Sequence, residues 1–402
     1  MALLPVAQAL TRVLDGVAPL PAEQVAIACA HGRVLAANLA ALRTQPPDAL
    51  SAMDGYAVRA EDVAKAPARL RVIGEVAAGR PFEGTVGPGE AVRIFTGGVV
   101  PGGADTIVIQ EHTDRDGACL TVTAPSGIGR HIRAHGLDFS EGDVLLTAGR
   151  RLSDRDIALV AAMNHPTVSV RRTPRVALFA TGDELVAPGS TPAPGQIVYS
   201  NGFALAALAR AEGADVIDLG IVPDRVDVTV AAVDAAAAQR ADVLVTTGGA
   251  SVGDYDLVQQ SLAARGMALS FWKVAMRPGR PMMHGMLGGM RVLGLPGNPV
   301  SAYVCGFLFL APLLRRLLGC PAVEPPRESA LLGRGLPAND ERADYLRATL
   351  AHGPQGLIAT PFDIQDSSML ALLAKADCLV IREPFAPAAA KGSPCTIVKL
   401  DR

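Results

Sequence analysis

Several loops in the middle of this 402-residue chain carry side chains able to do chemistry. Each follows a short apolar run. After DVLVTT comes Gly248-Gly249-Ala250-Ser251-Val252-Gly253-Asp254-Tyr255-Asp256. Gly248, Gly249 and Gly253 let a backbone turn tightly and approach a ligand. A helix starting behind them would offer unpaired N–H groups and a positive dipole end to an anion. Ser251 and Asp254 belong to the same candidate binding loop, and Asp254 is equally suited to cap the helix. The loop is neither G-x-x-x-x-G-K-[ST] nor G-x-G-x-x-G. A structural turn therefore explains it as well as a phosphate site does.

Glu184, Asp224 and Asp256 follow three different apolar runs. Singly, each reads as a solvated loop carboxylate or a cap. Together they offer oxygen ligands beside an anion-binding loop, which is the chemistry of Mg2+: one or two carboxylates with phosphate and water. Lys273, Arg277 and Arg280 put three cations into eight residues of WKVAMRPGRP. They read either as a solvated turn or as a clamp on a phosphate or similar oxyanion. Pro296-Gly297-Asn298-Pro299 follows RVLGL. Asn298 suits an N-cap and Pro299 the first helical position. Pro296 and Gly297 are not needed for a cap and suggest a rigid loop wall. Trp272, the only tryptophan, reads as a core anchor.

Two further turns stand apart: Ser51-Ala52-Met53-Asp54-Gly55-Tyr56-Ala57, and Thr96-Gly97-Gly98 after VRIF. Turn chemistry alone accounts for both. The seven histidines are scattered with no ligand spacing and read as structural or surface residues.

The elements that must position these loops fall into four regions. Residues 1–45 read as a helix, VAQALTRVLDGV, followed by a short strand. Residues 46–138 are short β-like runs (RLRVIGEV, EAVRIF, TIVIQE, CLTVTA) separated by Gly and Pro, an all-β pattern. Residues 139–173 hold a helix capped at Ser153-Asp154 and the strand TVSVRR. This region is expected to return to the first, leaving 46–138 as an inserted β-rich domain. From 174 to 320, strands alternate with helices, which predicts a mostly parallel sheet covered on both faces. Ligands of such sheets bind beyond the carboxyl ends of the strands. PAVEPPRE, with three prolines in eight residues, marks the last boundary. Residues 327–402 are expected to form a β domain. There YLRATL puts Tyr345, Arg347 and Thr349 on one face, and Leu346, Ala348 and Leu350 on the other.

Composition sets outer limits. Half the residues are hydrophobic and 19% charged, as in a globular chain with a large core. A net charge of -2 supplies no field that would draw the chain to nucleic acid or anionic lipid. Six cysteines without C-x-x-C or zinc-finger spacing read as free thiols of a reducing cytosol. No secretory signal is expected from MALLPVAQAL, which lacks a basic n-region. The longest apolar run, Val300 to Leu314, is shorter than the roughly 18–20 residues of a span and predicts a buried helix.

Taken in order, SAMDGYAV, GRPF, FTGGVVPGGADTIVIQE, LFATGDELV, VYSNGFALAALARAEGADVIDLGIVPD, TTGGASVGDYD, FWKVAMRPGRP and LPGNPVSA resemble the molybdopterin molybdotransferase family, which includes bacterial molybdenum-insertion enzymes and the C-terminal domain of gephyrin. These stretches span residues 51–304; RADYLRATL and DSSMLALLAKAD extend the likeness more loosely. The resemblance implies a molybdopterin-binding α/β domain and a cytoplasmic homodimer whose sites are completed by the second subunit. It implies adenylylated molybdopterin and molybdate as substrates, Mg2+ as cofactor, and AMP as a product. Other molybdenum-cofactor biosynthesis proteins and molybdoenzyme chaperones are the implied partners. Carried over by motif, Asp54, Thr96, Asp138, Glu184, Asp224 and Asp256 match the family's polar site positions. Lys273, Arg277 and Arg280 match its basic loop and Pro296 and Pro299 its proline loop, while Arg347 and Ser367 match a C-terminal pair implicated in molybdate contact.

Two departures stand out. The usual K-P-G-K-P is Arg277-Pro-Gly-Arg280-Pro, which keeps charge and adds bidentate capacity. The usual Gly-Ser-Gly is Asp366-Ser367-Ser368, which puts a carboxylate near a bound oxyanion. Two alternatives accompany the insertion reading: a non-catalytic pterin-binding scaffold, and the preceding adenylylation step. The three acidic residues argue against the scaffold. The β insertion and C-terminal domain argue against adenylylation. The missing dinucleotide fingerprint after the first strand argues against a dehydrogenase.

Overall fold

A computed structural model describes residues 3–77, 79–248 and 257–400. The alternating segment folds as the sequence predicts. Strands β1 (Arg175–Thr181), β2 (Asp215–Val222), β3 (Val243–Thr247), β4 (Ala268–Trp272), β5 (Met276–Arg277), β6 (Met283–Leu287) and β7 (Met290–Leu295) follow in chain order. Six of them form one sheet in the order β2-β1-β3-β7-β6-β4. The first four in that order pair in parallel, and β6 and β4 are added antiparallel. Strands β1 and β3 are buried along nearly their whole length, so they read as continuous apolar runs. The FWKVAM stretch splits: β4 stays in this sheet while β5 leaves it.

Helix α1 (Val6–Leu14), which the sequence groups with the first region, buries Ala9, Leu10 and Val13 in the core of this α/β unit. The rest of that region behaves as expected. Ala22–Ala26 pairs antiparallel with Thr167–Arg171, and Leu39–Ala40 with Val144–Leu146, so the chain returns to its start after the insertion. Helix α2 (Asp154–Ala162) opens with a capping box between Ser153 and Asp156. The insertion itself holds a six-stranded sheet. Within it Gly55–Val58 lies antiparallel to Glu90–Ile94, with Gly55 opposite Ile94.

Helices α3 (Asn201–Ala211), α4 (Val226–Ala238) and α5 (Leu257–Ala264) connect the parallel strands. The helical segment that closes the α/β unit is one 19-residue helix, Pro299–Leu317, running through α6 (Pro299–Cys305), a π turn at Gly306–Leu310, and α7 (Ala311–Leu317). By length and composition this helix could cross a membrane, which the apolar run alone was too short to suggest. Of its most apolar window 83% is buried inside the protein, the setting of a core helix.

Beyond it, β8 (Arg327–Leu332), β9 (Ala343–Gly353), β10 (Gly356–Pro361), β11 (Cys378–Arg382) and β12 (Pro394–Lys399) pair in the cyclic order β9-β10-β8-β12-β11, with β11 closing back on β9. This is a closed five-stranded barrel. Strand β9 is buried on both faces: Leu346, Ala348 and Leu350 turn into the barrel, while Ala343 and Tyr345 join the α/β core. Strand β5 leaves the α/β sheet to pair in parallel with β9, placing Met276 opposite Ala343 and Arg277 opposite Asp344.

Candidate functional site

The carboxyl ends of β1, β3 and β7 meet in a cavity of about 730 Å3. The fit between these ends is tight. Gly248, directly after β3, has φ of +86°, and a Cβ there would lie 2.3 Å from the Thr181 carbonyl oxygen at the end of β1. A Cβ on Gly297, after β7, would lie 3.8 Å from Gly248 Cα. A side chain at position 248 would push the strand ends apart, so glycine is required.

Among the described residues two carboxylates line the cavity, Glu184 and Asp224. Glu184 folds back over Gly182, whose φ is +150°; a Cβ there would come within 2.6 Å of the carboxylate. Asp224 follows β2, and its backbone N–H donates to Asp183 Oδ1 at 3.1 Å. Burial raises the Asp224 carboxyl above the usual carboxylate range, and the negative charges of Asp183 and Glu184 raise it further. The described lining residues include no Lys, Arg or His. Among the described residues no three His, Cys, Asp or Glu side chains converge as a ready metal cluster.

The proline loop forms a wall. Pro296, Gly297, Asn298 and Pro299 all line the cavity. Pro299 holds the first position of α6, as the sequence predicts. Asn298 sits at the N-cap position, but its side chain makes no capping bond. Its Nδ2 instead donates to Ser367 Oγ at 2.8 Å, in the barrel. The Val300 N–H donates to the Ser367 carbonyl at 3.0 Å, so a barrel backbone oxygen serves the helix end instead. Asn201 Nδ2, at the start of α3, donates to the Gly297 carbonyl at 2.6 Å and fixes the loop from the other side.

The structure thus brings together Glu184, Asp224, Gly248 and the proline loop, and leaves other candidates elsewhere. Gly249, Ser251, Gly253, Asp254 and Asp256 lie outside the described residues. Their described flanks, Gly248 and Leu257, both line the cavity. Asp54 and Thr96 meet each other, with the Thr96 N–H and Oγ1 donating to Asp54 Oδ1 at 2.7 and 2.8 Å. The Thr96 hydrogen bonds hold the Asp54 carboxyl below its usual range. This pair and the exposed Asp138, however, stand away from this chain's cavity.

The expected clamp of Lys273, Arg277 and Arg280 is not assembled around the cavity. Lys273 Nζ lies 4.5 Å from the centre of the Trp272 ring, and Arg280 lines a different cavity beside α1. Arg277 Nε and Nη2 are engaged by Asp344 at 2.7 and 2.9 Å. The cause is topological: β5 crosses to the barrel and carries its turn away from the strand ends, leaving only Pro281 in the wall. Arg347 is 1% exposed and donates to Gln365 Oε1 and to the carbonyls of Asp366 and Met369. Its loop delivers Ser368 to the cavity, while Ser367 faces Asn298. The Asp366 carboxylate is occupied by the Ser368 N–H and Oγ, which hold its carboxyl below the usual range.

Sequence reasoning did not single out Thr181, Tyr199, Asn201, Thr247, Ser301 or Ser368 as lining residues. The hydroxyls of Thr181 and Tyr199 are buried without a hydrogen-bond partner among the described residues. Burial, with the nearby Asp218 charge, pushes the Tyr199 phenol up to about 12. The available signal was Tyr199-Ser-Asn201, a polar triplet opening a helix on the strand-end side.

Three family models match the chain. The MoeA N-terminal region (domains I and II) matches residues 4–164, a probable molybdopterin binding domain 177–316, and the MoeA C-terminal region (domain IV) 329–400. The chain is 33% identical over 382 residues to the molybdopterin molybdenumtransferase of Haemophilus influenzae, covering 94% of each. It is 35% identical to that of Bacillus subtilis, over 94% of this chain and 90% of the relative. The molybdenumtransferase of a Nostoc species is 41% identical over 74% of this chain and 70% of its own length. A crystal structure of the molybdopterin biosynthesis MoeA protein from Pyrococcus horikoshii superposes with a TM-score of 0.84 at 27% identity, covering 99% of this chain and 100% of that one.

Proposed function

Since the chain belongs to the MoeA family of molybdopterin molybdenumtransferases, we propose that it transfers molybdenum from molybdate to molybdopterin, taking the pterin in its adenylylated form and releasing AMP. The observation that carries this reading is the strand-end cavity whose described lining holds two carboxylates and no cation. An anionic substrate is repelled there unless a positive ion accompanies it. Glu184 and Asp224 fit Mg2+, because Mg2+ takes one or two carboxylates and completes its shell with phosphate and water. Burial, and then the charges of Asp183 and Glu184, raise the Asp224 carboxyl, and a bound cation would relieve both effects. When bound, the ion would neutralise charge developing on phosphate oxygens.

The chain's own residues position. Gly248 keeps the ends of β1 and β3 packed together beside the cavity. The proline loop, braced by Asn201 and by the Asn298–Ser367 bond, gives a wall held from both sides. Ser301 offers a hydroxyl to oxyanion groups, whereas the Ser368 hydroxyl is held by Asp366. Fixed groups of this kind accelerate phosphoanhydride cleavage by orientation and electrostatics.

A homodimer completes this reading. Asp54 and Thr96 are already bonded to each other at a turn remote from their own chain's cavity, an arrangement suited to a second subunit's site. The exposed Leu42, Leu137 and Val144 supply apolar surface for such contact. Six free cysteines suit a reducing cytoplasm, where cofactor-biosynthesis proteins and molybdoenzyme chaperones would meet the enzyme. An anaerobic assay with adenylylated molybdopterin, molybdate and Mg2+ tests the proposal. AMP release that requires molybdate is the expected result. Pyrophosphate release from ATP and molybdopterin, with no AMP from the adenylylated substrate, would assign the preceding step instead.

A further inference from the structure

We infer that the Arg277–Asp344 ion pair is a positioning device for the strand-end cavity, and that Asp344 is needed for efficient turnover although it lines no part of that cavity. The inference rests on the reading of the cavity given above. Asp344 is 8% exposed and accepts from Arg277 Nε and Nη2 at 2.7 and 2.9 Å. Arg277 Nη2 also reaches Asn339 Oδ1 at 3.2 Å. Asn339 is itself fixed, its Nδ2 donating to the carbonyls of Arg342, Arg382 and Glu383. Among the described residues, only Nη1 of this guanidinium is left without a protein partner. A bidentate grip on an oxyanion would therefore displace either the buried Asp344 carboxylate, from the Nε–Nη2 edge, or the fixed Asn339 amide, from the Nη1–Nη2 edge.

The pair stands where the two walls of the cavity are joined. Arg277 and Asp344 are directly opposed in the β5–β9 pairing, the link from the α/β sheet to the barrel. Four residues beyond Arg277, Pro281 lines the cavity. Three residues beyond Asp344, Arg347 grips the carbonyls of Asp366 and Met369 and so sets the loop that brings in Ser368 and Leu370. Those two residues are the barrel's whole described contribution to the lining. Loss of the pair frees β9 to shift against β5, and this loop shifts with it. Arg277 acts through the architecture and does not touch substrate.

The test compares full-length Asp344→Asn, Arg277→Gln and the double variant. Amide exchange in residues 366–370, measured without substrate, should quicken about tenfold in each single variant and no further in the double, because the two changes remove one interaction. In turnover, the KM for molybdate should rise about tenfold in both singles with kcat less affected, and Asp344→Glu should recover part of the loss. A residue serving stability alone would leave the molybdate KM unmoved. Unchanged exchange in both single variants overturns the inference. So does an Asp344→Asn enzyme whose molybdate KM equals or undercuts the wild type, the result expected if Arg277 were an oxyanion ligand released from its partner. Should Asp344→Asn fail to fold, Arg277→Gln, which alters a half-exposed side chain, carries the same readouts. Absence of AMP release from the wild type would defeat the functional reading alone, since the exchange experiment is independent of turnover.

Discussion

Two cavities of this molecule differ in size and in chemistry, in opposite senses. The larger, about 1210 Å3, runs between α1, residues 323–327 and the barrel. It carries Arg280, Arg316 and Arg327 beside Asp15, Glu324, Glu341 and Glu383. These charges are of both signs and partly satisfy one another, as Arg327 and Glu383 do at 3.7 Å. The smaller, about 730 Å3, holds Glu184 and Asp224 and no described cation. Its charge is of one sign and left unbalanced at the open ends of three parallel strands. Volume alone would select the larger cavity. A cavity that needs a ligand to complete its electrostatics is the better mark of a site, because a fold otherwise has no reason to hold like charges together.

The sharpest way to break this contrast is to remove one charge from the smaller cavity and one exposed ring from the rim of the larger. Glu184→Gln should lower AMP release about a hundredfold or more, the scale set by losing one group that stabilises developing charge. Phe385→Ala, at a ring 74% exposed, should stay within about twofold of the wild type. Equal losses in the same assay would erase the distinction between the two cavities.

A smaller effect compares glycines. Gly248→Ala combines φ of +86° with a Cβ placed 2.3 Å from a backbone oxygen, and should cost about 3 kcal/mol in urea denaturation along with most of the turnover. Gly16→Ala, beside the larger cavity, shares a positive φ of +63° but meets only an arginine tip at 3.8 Å, and should cost about 1 kcal/mol without affecting rate. Reversal of that order would mean that the strand ends are not as closely packed as described.

The smallest effect is electrostatic. The folded Asp224 carboxyl is raised, so its contribution to stability is present below the ordinary carboxylate pKa and is lost as pH climbs through the raised value. Near neutrality the charged Asp224 therefore destabilises the metal-free protein. Asp224→Asn should melt slightly above the wild type at neutral pH without Mg2+, and Mg2+ should raise the wild-type midpoint more than the variant's. Identical Mg2+ responses in thermal melts would remove Asp224 from the cation site.

How far the sequence reached differs between these features. Strand and helix alternation from residue 174 onward is legible because apolar periodicity is a local property. The same holds for the Ser153 cap and for Pro299 at a helix start, since capping depends on neighbours within one turn. Alternation also fixed which loops share the carboxyl edge of the sheet, and Glu184, Asp224, Gly248 and Pro296 do meet there. Local pattern could not say where long side chains end. Arg277 finds its carboxylate 67 residues along the chain, and Asn298 finds Ser367 at a separation of 69. Burial of α1 against the α/β core and closure of the barrel through β9 and β11 are pairings of the same long-range kind. Propensity acts between neighbours in sequence, whereas the destination of a charged fork is decided by which surfaces the packed core brings within hydrogen-bonding distance.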